Sequence, residues 1–290
     1  MKYGLYMPNF GAFGTARVVA DLARNAENAG WDGLFLWDHI ARPYVMNVVD
    51  PCVALTAAAM TTQTIKLGAM VTPIPRRRPW KLARETASLD HLSGGRLIFG
   101  AGLGSGREQE WQNLGEELDP KVRGMMLDEG LDILAGLWSG QPFEYEGAYH
   151  TVTETQFEPA ALQTPRIPVW IAGNYPNKAP LRRAARWDGV FPVLKTEDFD
   201  SDAQVRQLKE VVDLVREYRA DDSPFDVVHR GIPTPGDDKA RAVEIVAPFM
   251  DTGMTWWLEN LSPWCFGMEW DSDWDLAIMR ERVLQGPPKE

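Results

Sequence analysis

Residues 50–104 read DPCVALTAAAMTTQTIKLGAMVTPIPRRRPWKLARETASLDHLSGGRLIFGAGLG, and their rhythm decides the fold. The stretch from Pro51 predicts a helix over 51–61. The apolar run 65–72 reads as a strand, 80–92 as a second helix, and Ser93-Gly94-Gly95 as the turn that delivers the chain into a strand over 96–102. Strands separated by helices pair in parallel. The same alternation extends to both sides. Toward the N-terminus it predicts a strand at 3–8, a helix at 17–29 stopped by Gly30, and a strand at 33–37; Val18, Leu22, Ala26 and Ala29 share one face of that helix. Toward the C-terminus helices at 109–114 and 122–138 precede a Tyr/Thr/Val-rich segment, 143–157, that suggests a β-hairpin. Strands at 169–172, 189–193, 226–230 and 255–259 then alternate with helices at 179–186, 201–219 and 238–252.

About eight strand–helix units without a Pro/Ser-rich linker predict an α/β chain folded as a (β/α)8 TIM barrel. The expected organisation is one domain over 1–290, with an insertion after the fourth strand (about 141–165) and a tail (about 262–290) whose 274–284 segment packs outside as a helix. The competing architecture is an open doubly wound sheet, for which Gly100, Gly102, Gly104 and Gly106 supply a glycine run. Ser105 breaks the dinucleotide fingerprint and the run lies mid-chain, so the barrel is preferred.

The 290 residues carry 30 Lys+Arg against 41 Asp+Glu, a net charge of −11 that disfavours a nucleic-acid partner. The start MKYGLYMPNFGAFG lacks a signal-peptide pattern, and no run reaches the length of a membrane span, so a cytoplasmic setting is expected. Cys52 and Cys265 stand alone, which predicts buried thiols rather than a metal or redox pair, and no metal site is expected. The 12 Trp hint at an aromatic-lined pocket.

A barrel assembles its site from the residues that follow each strand. Here those are Met7, Asn9 and Phe10; Asp38 and His39; Val71 to Pro75; Gly102 to Arg107; Gly173 and Asn174; Pro192 to Lys195; His229 to Gly231; and Leu258 to Asn260. A histidine titrates near neutrality, so His39 is the candidate for proton transfer, with Asp38 as its tuning acid; capping the strand is the plainer role. His91, His150 and His229 sit at a bottom turn, in the insertion and within a strand. Arg76, Arg77 and Arg78 form the densest positive cluster, suited either to an anionic ligand or to pairing with surface acids. Gly173-Asn174 and Lys195 fit a phosphate cradle or merely tight turns. Asp38, Glu108, Glu110 and Glu259 keep a two-carboxylate glycoside hydrolase open. GxSxG, HExxH and P-loop patterns are absent.

AENAGWDGLFLWDHI (26–40), the 50–104 stretch, LDEGLDILAGLW (127–138), PRIPVWIAGN (165–174) and RRAARWDGVFP (182–192) together closely resemble the bacterial luciferase-like flavin/deazaflavin oxidoreductases, over about residues 1 to 260. The resemblance implies a (β/α)8 barrel binding coenzyme F420 or FMN at its C-terminal mouth, with homodimers common. It implies that His39 lies by the reactive ring, that Met70-Val71 forms a non-prolyl cis peptide in a bulge behind the ring, and that Gly173, Asn174, Val193 and Lys195 surround the phosphate. Met7, Thr72 and Gly102 complete the expected cofactor contacts, with Arg76 toward an acidic tail. Ser105 and Tyr44 replace an acidic residue and a Trp of the sugar-phosphate branch, which argues against a sugar-phosphate substrate.

The reading that follows is hydride transfer between coenzyme F420 and a small organic substrate. In it His39 moves the proton, Asp38 orients His39, and Phe10, Tyr44, Trp111 and Trp256 wall the substrate pocket. An FMN-dependent monooxygenase served by a separate flavin reductase is the alternative. A glycoside hydrolase or a non-catalytic binding barrel is the third.

Overall fold

The computed structural model describes residues 1–104, 108–195 and 201–289. Among these described residues, eleven strands and eight α-helices run in the order β1 (Lys2–Met7), α1 (Ala16–Asn28), β2 (Gly33–Leu36), α2 (Pro51–Thr61), β3 (Lys66–Ala69), β4 (Thr72–Pro73), α3 (Pro79–Ser93), β5 (Phe99–Gly102), α4 (Pro120–Trp138), β6 (Phe143–Glu146), β7 (Thr151–Thr155), β8 (Val169–Asn174), α5 (Lys178–Ala184), β9 (Gly189–Val193), α6 (Ser201–Tyr218), β10 (Asp226–Gly231), α7 (Lys239–Met250), β11 (Trp256–Asn260) and α8 (Leu276–Leu284). Local chemistry fixes many boundaries. Thr15, Asp50, Asp119, Asp238 and Asp275 cap helices by accepting backbone N–H bonds, two of them directly before a proline that needs none. At the end of α3, Gly94 and Gly95 take φ of 67° and 78°, a left-handed turn that costs other residues free energy.

Nine parallel strands pair in the order β3-β2-β1-β11-β10-β9-β8-β5-β4. β3 and β4 are two halves of one stave, parted by the cis peptide Met70-Val71, and a Leu67–Leu97 bridge joins β3 to the chain entering β5. The sheet therefore closes on eight staves, as a TIM barrel, and the open doubly wound alternative fails. β6 and β7 form the expected antiparallel hairpin. The 109–114 segment forms two short 3-10 turns (Glu108–Glu110 and Gln112–Leu114) rather than an α-helix, because Gly115 at φ 70° ends the second after three residues.

Strand alternation divides the core in two. An inner cluster of Tyr6, Phe35, Met70, Ile98, Trp170, Phe191, Val228, Trp256 and Leu258 fills the barrel. The outer layer, where Leu5, Met7, Leu34, Ile171, Val227 and Trp257 meet the helices, is larger. The tail supplies the eighth barrel helix: in α8, Arg282 pairs with Glu259 of β11 at 2.7 Å, and Trp31 Nε1 donates to the Val283 carbonyl. No helix among the described residues is long and apolar enough to cross a membrane.

Candidate active site

His39 follows β2 at the C-terminal mouth, and its backbone is held by Asn9, whose side chain accepts from His39 N and donates to the carbonyls of His39 and Val49. Its ring is oriented by Glu110, not by Asp38. Both Glu110 carboxylate oxygens lie 2.9 Å from His39 Nδ1, and Glu110 also accepts from Ile40 N. Burial by itself raises the Glu110 pKa, but the hydrogen bond and charge of His39, the Arg76 guanidinium and the Ile40 N–H outweigh it and hold the carboxyl at about 2. Glu110 is then an acceptor only, so Nδ1 carries the hydrogen. Nε2 makes no hydrogen bond among the described residues and is left to take or give a proton.

Asp38 belongs to a second charge group. Its carboxylate accepts from Arg76 Nη2 at 2.9 Å and from Arg77 Nη2 at 2.8 Å. The expected orienting role of Asp38 is thereby corrected, since adjacent residues leaving a strand point apart and Asp38 turns to the arginines. The same contacts correct the reading of the arginine cluster: Arg76 is almost wholly buried, bridging Asp38 to Glu110 at 3.6 Å, and only Arg78 is exposed. Arg76 thus braces the site from behind instead of reaching a cofactor tail. Nor do the described carboxylates form the facing pair of a glycoside hydrolase, because Asp38 and Glu110 are engaged by arginine and Glu259 is buried against Arg282; the Glu108 side chain lies outside the described residues.

The other predicted residues divide. Met70 and Val71 line the top of the inner cluster, and Gly102 lies against them: a Cβ there would meet Val71 Cγ2 at 2.6 Å. Asn174 and Val193 are register partners at the β8–β9 rim, Val193 and Lys195 being exposed. Thr72 is buried in β4. Met7 faces the helices, and Tyr6 takes the inward position in its stead. Gly173 also faces outward; its missing Cβ makes room for Pro180 of α5 rather than for a phosphate.

Three of the expected pocket walls prove to be interior. Phe10 is fully buried, edge-on to His39 and beneath Trp270 and Trp274. Trp111 is fully buried between Arg76 and Arg123. Trp256 begins β11 and lies at the barrel floor against Phe35, Trp170 and Lys2. Large aromatics at strand ends are read from sequence as lining when their rings are packing. Tyr44 is 44% exposed, and Ser105 lies outside the described residues. Among the described residues no His/Cys/Asp/Glu cluster could hold a metal ion. Glu110 and Arg230 are the functional candidates that sequence reasoning undervalued: Glu110 was weighed only as a hydrolase carboxylate, and Arg230 only as one of the strand-end residues.

An aromatic ring system fits this mouth. Trp37 Nε1 is buried without a partner among the described residues, and Gly102 sets bare backbone against the Val71 side chain.

Known proteins share this architecture. An F420-dependent secondary alcohol dehydrogenase in complex with an F420-acetone adduct superposes with a TM-score of 0.76 at 17% identity, covering 99% of this chain and 98% of that one. The oxygenating constituent of 3,6-diketocamphane monooxygenase of Pseudomonas putida, in complex with FMN, gives 0.66 at 19% identity, covering 98% and 83%. In sequence, an uncharacterised protein of Mycobacterium tuberculosis is 28% identical over 224 residues, 71% of this chain and 74% of that protein. The oxygenase component of a flavin-dependent trigonelline monooxygenase from Acinetobacter baylyi is 28% identical over 159 residues, 55% of this chain and 43% of that protein. The family model for luciferase-like monooxygenases matches residues 1–282, and this chain belongs to that family of oxidoreductases.

Proposed function

We propose that residues 1–290 act as one barrel domain that moves a hydride between coenzyme F420 and a small organic substrate at the C-terminal mouth. The observation that carries this reading is His39, held by Glu110 through Nδ1 with Nε2 left unpartnered at the lip. When bound, the deazaflavin ring supplies a carbon that accepts or returns the hydride. Met70, Val71 and Gly102 would support the ring, and Asn174, Val193 and Lys195 its phosphate arm. A substrate hydroxyl in the mouth gives its proton to Nε2 as its carbon loses the hydride, and the buried Glu110 carboxylate balances the charge that the imidazole gains. Asn9 fixes the His39 backbone, so the ring pivots little.

The FMN-dependent monooxygenase with a separate flavin reductase is kept as the second reading, because the trigonelline and 3,6-diketocamphane enzymes share sequence or fold with this chain. Titrating the purified protein with F420 and with FMN, following cofactor fluorescence, separates the two. Tighter binding of F420 is expected. Tighter FMN binding with reductase-dependent oxygen uptake would transfer the assignment, and binding of neither would overturn both. A cytoplasmic homodimer completes the proposal; sedimentation velocity on the purified protein tests the dimer.

A further inference from the structure

The stave diametrically across the barrel from the Met70–Val71 bulge is β10, four places away in the strand order in either direction. Val228 of β10 belongs to the inner cluster, while His229 turns outward and stacks on Phe249 at 4.5 Å. Alternation then aims Arg230 inward, one step above Val228 toward the mouth. Its charge is felt by the Tyr6 phenol on β1 and by the Cys265 thiol. Other buried arginines have partners: Arg76 and Arg77 pair with Asp38, Arg282 with Glu259, Arg96 with four backbone carbonyls and the Thr62 hydroxyl, and Arg123 with the Gly104 carbonyl and the Trp111 ring. Among the described residues nothing forms an ion pair or hydrogen bond with Arg230, which is half-buried.

Two neutral donors stand beside it. Asn260 of β11 is the register partner of Tyr6, and its Oδ1 is occupied by Ser262 N and Oγ, so the amide –NH2 is unused. The Tyr6 hydroxyl likewise has no partner among the described residues. Three adjacent staves thus present donors and one permanent cation, with the rings of Trp37 and Phe191 packed on Tyr6 at 5.4 and 5.5 Å. In a chain of net charge −11 this is a local reversal of sign at the upper end of the barrel interior.

We propose that the β1–β11–β10 wall is a substrate-recognition site for a carboxylate carried on a flat, unsaturated body, with Arg230 taking the carboxylate and Asn260 and Tyr6 completing its hydrogen bonds. A guanidinium matches a carboxylate in two parallel bonds, and the aromatic rings match a planar body. The proposal rests on the reading of the mouth as the hydride-transfer site and names the substrate class for it.

The test titrates the protein calorimetrically with benzoate, 2-naphthoate and acetate, and with benzamide and 2-naphthamide as uncharged counterparts, with and without saturating F420 or FMN. The aromatic carboxylates should bind at least tenfold more tightly than their amides and than acetate. R230M should erase that preference while changing cofactor affinity less than threefold, and R230K should keep part of it. Thermal unfolding of each variant verifies the fold. Equal binding of acids and amides, absence of binding by every carboxylate, or an unchanged preference in R230M overturns the proposal. A large loss of cofactor affinity in R230M overturns it too, by assigning Arg230 to the cofactor. Failure of both cofactors to bind would sink the hydride-transfer reading alone, because the titrations of the bare protein still report on the anion wall.

Discussion

Replacing His39 with alanine should leave cofactor affinity within a few-fold and lower turnover by about 10²-fold, the usual contribution of a positioned acid–base group. Glu110 acts one step behind it, as a positioning residue. Glu110→Gln keeps the shape but removes the charge opposite Nδ1, so turnover should fall about tenfold or more with little change in KM, while Asp at this position recovers little because the shorter side chain cannot reach. Stopped-flow rates and steady-state KM for the three variants check this; a drop in KM-dependent terms alone would mean that the pair only shapes the pocket. Asp38 and His39 show why such roles escape a linear reading. Their adjacency suggested a dyad, but Asp38 closes on Arg76 and Arg77, while the partner of His39 lies 71 residues away. Neighbours along a chain are visible in sequence, and neighbours across loops are not. Trp111 and Phe10 mislead for the same reason, because residue type reports ring size and not which side faces solvent.

At the scale of elements, the β11–α8 connection is the point where the tail becomes part of the barrel. Glu259 is fully buried and meets Arg282 at 2.7 Å, with the Thr234 hydroxyl also on Glu259. Burial pushes the Glu259 carboxyl up, against the opposing pull of Arg282 and Thr234. Removing one member of a buried pair leaves the other uncompensated, at a cost of about 3 to 5 kcal/mol. Arg282→Met should therefore lower the urea midpoint substantially, and Arg282→Met combined with Glu259→Met should recover most of the loss. A double variant no more stable than the single would show that the pair contributes net attraction and not merely mutual compensation. The sequence pattern placed this helix on the outside; its service as the eighth barrel helix draws on the Arg282–Glu259 pair and the Trp31–Val283 bond, long-range contacts that periodicity does not reveal.

The molecule as a whole was legible because period-2 and period-3.6 patterns alternate through it, and closure follows from their number. Its response to acid was not, because that depends on what surrounds each side chain. His229 is buried between β10 and α7, both ring nitrogens lack partners among the described residues, and burial, with Arg230 adding to it, lowers its pKa from 6.5 to about 3. Between those values the unfolded chain binds a proton that the folded chain refuses, so stability falls as pH drops through 6.5 toward 3. His229→Phe should flatten the dependence of the unfolding midpoint on pH between about 6.5 and 4.5. Parallel curves for variant and parent would remove His229 as the source. Pairing of the first strand with the last, Tyr6 opposite Asn260, carries a different consequence. One edge of β1 stays without its native partner until the chain has been synthesised past residue 260, and such an edge is a template for mispairing. Ring closure is therefore the late, long-range step of folding, and a ribosome-bound chain of this protein needs shelter for β1 until β11 has emerged.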